Sequence, residues 1–99
     1  MEIKIIIDDD EQLELAFFGK LDTLGAGEIE TKVYALLNNV KKSVYFDFAG
    51  VTYLSSMGVR LLISSQRLVK RSENSLIIIN PTDAVRQILE MIKLDELMG

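Results

Sequence analysis

Two different spacings of hydrophobic residues alternate along this chain, and this alternation restricts its fold more than any other feature. Apolar residues occur at every second position in segments such as Gln12–Phe18, which is typical of strands. They recur every three or four positions in segments such as Gly25–Asn39, which is typical of helices. The pattern predicts strands at about 2–7, 12–18, 44–48 and 76–80, and helices at about 25–39, 56–71 and from 82 onward.

The order of these segments predicts the architecture. Strands that alternate with helices pair in parallel through right-handed crossovers, whereas the first two strands can form an antiparallel hairpin. We therefore expect one α/β domain over residues 1–99, with a mixed, mostly parallel four-stranded sheet covered by helices in the order β-β-α-β-α-β-α. The third strand has two largely apolar faces, which predicts a central position with both faces covered. Residues Leu94–Met98 are expected to fold back onto the core.

Three connections between these elements carry specific expectations. The acidic run Asp8-Asp9-Asp10-Glu11 lacks the alternating ligands and the glycine of a calcium loop, so we interpret it as a hairpin turn. Gly50–Leu54 is predicted to connect the third strand to the second helix. Thr82 is predicted to cap the last helix.

The composition excludes several classes of function. The formal net charge is -4, whereas binders of nucleic acids or anionic membranes favour an excess of Lys and Arg. The chain has no histidine and no cysteine, which removes Ser-His-Asp catalysis and the usual zinc sites. The apolar runs are too short to span a bilayer, and acidic residues from Asp8 onward interrupt any signal peptide. We expect a cytoplasmic protein with no metal, no cofactor, no direct nucleic-acid contact and no membrane insertion.

A pair of serines at the start of the second helix is the main candidate for chemistry. Ser55 and Ser56 stand where backbone N–H groups are unpaired and the helix dipole is positive, an environment that stabilises anions. Those N–H groups, with Arg60 one turn further on, could hold a phosphate on Ser56. The alternative is that one of the serines only caps the helix. The two interpretations are compatible, because capping uses one hydroxyl and leaves the other free for a kinase. Met57 could be a core residue or a partner contact. Gly58 could have a structural role alone, because a glycine in a first turn permits close packing on the sheet.

Two further features could belong to the same surface. The exposed side of the second helix is expected to carry a basic stripe with one apolar residue, formed by Arg60, Ile63, Arg67 and Arg71. Asp22 or Thr23 is expected to cap the first helix. Because loops at the carboxyl ends of neighbouring strands lie side by side, Asp22 and Ser56 are expected to share one surface.

Three stretches of the sequence resemble the STAS domains of bacterial anti-sigma factor antagonists, and the similarity extends over nearly the full length. The first stretch, before the first helix, is Gly19-Lys20-Leu21-Asp22. The central one runs from Asp47-Phe48-Ala49-Gly50-Val51 through Ser55-Ser56-Met57-Gly58. The last is Ile79-Asn80-Pro81 followed by Ala84-Val85-Arg86-Gln87-Ile88-Leu89.

This resemblance implies a function. In such proteins the serine two positions before the glycine of the central motif is phosphorylated by a kinase that is itself the anti-sigma factor, and Ser56 occupies that position. The unphosphorylated antagonist binds the serine kinase and so releases the sigma factor. Phosphorylation abolishes the binding, and a phosphatase of the PP2C type restores it. The expected partner-binding residues are Asp22, Thr23, Ser55, Met57, Gly58, Arg60, Ile63 and Arg67.

Three other functions stay open at this point. A STAS scaffold that is not phosphorylated, as a subunit of a transporter or a signalling assembly, would have the same fold. A small serine hydrolase would need a base beside Ser56, and no lysine lies within a few residues of it. Nucleotide binding would need a glycine-rich phosphate loop ending in Lys-Ser or Lys-Thr, which the sequence lacks. We therefore expect a binding protein and no enzyme.

Overall fold

The computed structural model describes residues 1–99 and contains the predicted elements in the predicted order. The strands are β1 (Glu2–Asp8), β2 (Gln12–Leu21), β3 (Ser43–Leu54) and β4 (Leu76–Ile79). The helices are α1 (Thr23–Leu37), α2 (Ser56–Lys70) and α3 (Asp83–Met91), and a 3-10 turn follows at Asp95–Met98.

The four strands form one sheet in the order β1-β2-β3-β4. β1 and β2 pair in antiparallel orientation, whereas β2 with β3 and β3 with β4 are parallel pairs. The mixed, mostly parallel sheet and the central position of β3 are therefore confirmed. Because β2 and β3 run in the same direction, the starts of α1 and α2 lie at the same edge of the sheet.

The hydrophobic core lies on one face of the sheet. Alternate residues of β2, β3 and β4 are buried there, in one cluster with buried residues of all three helices. The ring centroid of Phe17 lies 4.7 Å from that of Phe46 and 5.0 Å from that of Phe48, distances at which tilted aromatic rings attract each other. Leu97 in the 3-10 turn is fully buried in the same cluster, so the predicted return of the last residues to the core is confirmed.

The opposite face of the sheet is less covered than the sequence predicts. The strand registers place two rows of residues on this face, Glu14-Tyr45-Ile77 and Ala16-Asp47-Ile79. Tyr45 and Asp47 are only half-buried, and Phe18 further along β2 is 41% exposed. The expectation that both faces of β3 are covered therefore holds for one face only.

β3 is also longer than predicted. Gly50–Leu54, expected as a loop, continues β3 beside the end of β2. A bulge between the two parts of β3 makes this possible. Asp47 Oδ1 accepts a hydrogen bond from the N–H of Ala49 at 3.0 Å, and a Cβ on Gly50 would lie only 2.6 Å from the ring of Phe18. The loop prediction is wrong because pairing resumes after this bulge.

The acidic connection after β1 is a turn, as predicted. Asp9 Oδ1 accepts hydrogen bonds from the N–H groups of Glu11 and Gln12, both at 2.9 Å, and these bonds lower the pKa of Asp9 below its ordinary value. Lys42 donates to Asp8 Oδ1 at 2.5 Å and to the Asp9 carbonyl at 2.6 Å. Because a lowered pKa means that folding favours the carboxylate, this contribution to stability is present at neutral pH and is lost as the pH falls through the lowered pKa.

The start of α3 differs from the prediction. Thr82 stands at the cap position, but its side chain makes no capping hydrogen bond to the helix. Its hydroxyl instead donates to the carbonyl of Val51 at 2.9 Å. Thr82 therefore connects α3 to the second part of β3. This contact was not predictable, because its acceptor Val51 lies in the segment that the sequence pattern assigns to a loop.

Two glycines determine how closely α1 and α2 approach the sheet. A Cβ on Gly58 would lie 2.5 Å from the carbonyl oxygen of Leu21 and 2.8 Å from Cδ1 of Leu54. A Cβ on Gly25 would collide with the carbonyl oxygen of Lys20. Both helix starts therefore need glycine, whereas Gly27 on the exposed side of α1 has open space around it.

We expect Gly58→Ala to destabilise the protein, because the added methyl group must move α2 away from the end of β2. The free energy of unfolding should fall by about 1–3 kcal/mol, the usual cost of overpacking. Gly27→Ala is the matched control and should be neutral or stabilising by up to about 1 kcal/mol, since alanine favours helix. Urea denaturation measures both variants, and equal effects would contradict the close packing at Gly58.

A second prediction concerns a buried hydroxyl in α2. Ser65 is fully buried, and its side-chain oxygen has no hydrogen-bond partner. Ser65→Ala should raise the free energy of unfolding by about 1 kcal/mol or more, because it removes an unpaired buried polar group and improves helix propensity. Thermal denaturation measures the change, with Ser64→Ala at a half-buried neighbouring position as the control. A lower midpoint for Ser65→Ala would show that the hydroxyl has a stabilising partner.

Candidate functional site

The ends of β2 and β3 bring two helix starts together. Leu21, the last residue of β2, is paired with Leu54, the last residue of β3. Asp22 and Ser55 follow directly and occupy the cap positions of α1 and α2. The structure thus places Asp22 and Ser56 at adjacent helix starts on one edge of the sheet, as the topology predicts.

Both cap residues are held by the same pattern of hydrogen bonds. Asp22 Oδ1 accepts from the N–H of Gly25 at 2.7 Å, and Ser55 Oγ accepts from the N–H of Gly58 at 3.2 Å. In each helix the bonded N–H belongs to the glycine that allows the close approach to β2. Of the residues predicted as caps, Asp22 and not Thr23 caps α1, and Ser55 and not Ser56 caps α2.

Ser55 makes further contacts that tie its hydroxyl to the end of β2. Its Oγ donates to the carbonyl oxygen of Leu21 at 3.1 Å, and its N–H donates to the same oxygen at 3.0 Å. The Ser55 hydroxyl thus acts as both donor and acceptor within the fold. A reaction at this oxygen would break contacts that join α2 to the sheet.

Ser56 is in the opposite situation. It is the first residue of α2, it is exposed, and its hydroxyl makes no hydrogen bond within the protein. The N–H groups of Gly58 and Val59 are bonded to Ser55, whereas the first two N–H groups of a helix have no acceptor within it. An oxyanion on Ser56 would therefore lie beside free N–H donors and the positive end of the helix dipole.

The remaining predicted partner-binding residues differ in exposure. Thr23, Arg60 and Arg67 are exposed, whereas Met57 and Ile63 are half-buried. Gly58 is buried, so it shapes the surface without lying on it. Met57 packs against the core, in line with the first interpretation offered for it, and it lines a small cavity between α1 and α2. Its contact with a partner stays a prediction.

The basic stripe of α2 is not neutralised by the protein itself. Ion pairs in the structure involve the amino terminus, Lys4 and Lys42, and none involves Arg60, Arg67 or Arg71. These guanidinium groups therefore remain available to a ligand. They run along α2 from the turn after Ser56 to the end of the helix.

Sequence reasoning missed two apolar side chains at this edge. Leu24 in the first turn of α1 is 74% exposed, and Tyr53 near the end of β3 is 49% exposed. Tyr53 pairs with Lys20 of β2, next to the strand ends that carry the caps. A signal for Leu24 was present, because this residue lies outside the apolar stripe of Ile29 and Val33. No such signal existed for Tyr53, since its segment was interpreted as a loop.

Two further observations concern other kinds of site. No group of three or more His, Cys, Asp and Glu side chains is arranged so that it could hold a metal ion. None of the helices has both the length and the apolar character needed to cross a membrane.

Known proteins resemble this chain in sequence. The sequence profile of the STAS domain matches residues 3–99. The anti-sigma-B factor antagonist of Staphylococcus aureus (strain NCTC 8325 / PS 47) is 22% identical over 89 residues, which are 90% of this chain and 82% of that protein.

Two solved structures of the protein SpoIIAA have the same fold. The anti-sigma factor antagonist SpoIIAA in its unphosphorylated form has a TM-score of 0.80 at 20% identity, over 99% of this chain and 86% of that chain. The Bacillus cell fate determinant SpoIIAA in the phosphorylated form has a TM-score of 0.72 at 19% identity, over 99% of this chain and 89% of that chain.

The profile match covers nearly every residue of the sheet and the helices, and it includes both capped helix starts. The fold agrees with this match. The four-stranded sheet and its helices superpose on the solved SpoIIAA structure over almost the full length of this chain. The chain therefore belongs to the STAS domain family.

Proposed function

We propose that this protein is an anti-sigma factor antagonist that binds a serine-kinase anti-sigma factor and is switched off by phosphorylation of Ser56. In this proposal the unmodified protein occupies the kinase and releases a sigma factor, and a PP2C-type phosphatase restores the unmodified form. The protein acts by binding in the cytoplasm, and its only chemistry is to accept a phosphoryl group.

One observation carries the proposal, namely the different states of the two neighbouring hydroxyls. The Ser55 hydroxyl is held by the Leu21 carbonyl and by the N–H of Gly58, whereas the Ser56 hydroxyl is exposed and unbonded. A kinase needs a hydroxyl that can enter its active site without breaking the fold of the substrate. Ser56 meets this condition, and Ser55 does not.

The names of the relatives support the proposed role as an antagonist. The Staphylococcus aureus protein is named as an anti-sigma-B factor antagonist, and SpoIIAA is described both as an anti-sigma factor antagonist and in a phosphorylated form. A protein of this family with a free serine at the start of α2 is therefore proposed to share that role.

The local charges explain how a phosphate could act as a switch. Phosphorylation adds about -1.5 to -2 charge at neutral pH. The free N–H groups at the start of α2 and the guanidinium group of Arg60, one turn further on, would stabilise this charge within the protein. An acidic partner surface that accepts the neutral Ser56 would instead meet a phosphate, and like charges brought together at an interface cost several kcal/mol.

The kinase-binding surface is proposed to surround Ser56 at this edge. Asp22 and Thr23 lie at the adjacent helix start, and Leu24 with Tyr53 adds exposed apolar area. Exposed apolar side chains beside polar groups are typical of interface centres, where a few such residues supply most of the binding energy. The polar rim would be formed by residues that include Asp22 and Arg60.

The binding test compares four forms of the chain with the serine-kinase anti-sigma factor of the same organism. These are the unmodified chain, the enzymatically phosphorylated chain, Ser56→Ala and Ser56→Asp. The unmodified chain and Ser56→Ala should bind, whereas phosphorylation or Ser56→Asp should weaken binding at least about tenfold, because an added charge costs more than 1.4 kcal/mol at an interface. Isothermal titration calorimetry measures the affinities.

Ser75→Asp is the matched control for this test. It introduces the same charge at an exposed serine just before β4, outside the edge that carries Ser56. Its affinity for the kinase should equal that of the unmodified chain. An affinity for the kinase that phosphorylation and Ser56→Asp leave unchanged would contradict the proposal. Copurification with a transporter instead of a kinase would also contradict it.

A further inference from the structure

A second surface lies along α2, away from Ser56. It is a groove of about 550 Å³ between α1 and α2. Arg67 is eleven residues beyond Ser56, so the groove is centred roughly 16 Å further along the helix axis. The residues that line it are Tyr34, Ala35, Asn38, Ser64, Arg67, Leu68 and Arg71.

The charge of this groove is entirely positive. Its lining contains two arginines and no acidic residue, on a chain with a formal net charge of -4. Neither Arg67 nor Arg71 forms an ion pair within the protein. The adjoining cavity around Met57 differs, because Glu30 lines it together with Arg60. The unbalanced positive charge therefore lies in this groove and not in the cavity nearer to Ser56.

The floor of the groove is apolar. Tyr34 and Leu68 are half-buried and pack against the core, so they form a firm surface that a ligand can cover. Arg67 and Arg71 are exposed, and Arg71 keeps helical backbone angles at the end of α2. Their four-residue spacing places the side chains on one face, about 5–6 Å apart at Cβ.

We propose that this groove binds an acidic amphipathic helix of a partner protein, at a site separate from the Ser56 surface. Carboxylates four residues apart on one helix have the same spacing as Arg67 and Arg71, and each pair can form charge-assisted hydrogen bonds. An apolar side chain between those carboxylates would cover Tyr34 and Leu68. A third helix laid along two packed helices is an established mode of recognition by a hydrophobic groove.

The test uses the chain of residues 1–99 labelled with ¹⁵N and a capped probe peptide of about 20 residues. This length is chosen because isolated helices shorter than about 15 residues are marginal in water. The probe carries two glutamates four residues apart with a leucine between them, and a second peptide has lysine in place of each glutamate. Titration followed by NMR should shift the amide signals of Tyr34, Asn38, Ser64, Arg67, Leu68 and Arg71 with the glutamate peptide only. Ser56→Asp should leave this binding unchanged.

The variant that tests the arginines is Arg67→Gln/Arg71→Gln, which should weaken the glutamate peptide about tenfold, the effect expected for arginines at the centre of an interface. The matched control, Lys32→Gln/Arg86→Gln, removes the same charge from exposed positions outside the groove and should change the affinity less than about twofold. Three outcomes would overturn the inference. They are equal loss in both variants, shifts outside the groove, and equal shifts with free glutamate, which would indicate a site for small anions only.

Discussion

The carbonyl oxygen of Leu21 is the contact on which the geometry of this site depends. It accepts hydrogen bonds from the N–H of Ser55 at 3.0 Å and from its hydroxyl at 3.1 Å, and Gly58 packs against the same oxygen. A carbonyl oxygen has two lone pairs, and Ser55 uses both. The start of α2 is thereby fixed to the end of β2, although β3 is the strand that leads into the helix. This cross-connection places the next residue, Ser56, in solvent.

The same connection explains how one helix can serve two surfaces. The first turn of α2 is held against the sheet, so the position of Ser56 relative to Asp22 and Leu24 depends on short, bonded segments. The other end of α2 packs beside α1 and presents the unpaired Arg67 and Arg71. A partner that covers Ser56 and a partner that binds the arginines would therefore meet different parts of one rigid element. A charge added at Ser56 would act mainly on the first surface, because salt screens exposed charges that are farther apart than about 10 Å.

Most of the fold could be predicted from the sequence, because spacings of two and of 3.6 residues are properties of single segments. What could not be predicted depends on contacts between segments. The bulge in β3 requires the Asp47 side chain and the approach of Gly50 to Phe18, and Thr82 is drawn away from its helix by Val51. For the site, the serine pair and its anion-tolerant position were predictable. Which serine caps the helix was not, because the choice is made by the Leu21 carbonyl across the sheet.

The fold holds the hydroxyl of Ser55 in two hydrogen bonds and leaves that of Ser56 exposed and unbonded. Fragmentation mass spectrometry of the peptide that contains both serines tests this claim most directly, after incubation of the folded protein with its kinase and ATP. We expect the phosphate on Ser56, and Ser56→Ala should abolish it without transfer to the neighbouring residue. Phosphate on Ser55, in the native protein or in Ser56→Ala, would show that the hydrogen-bonded hydroxyl is the reactive one and would contradict this expectation.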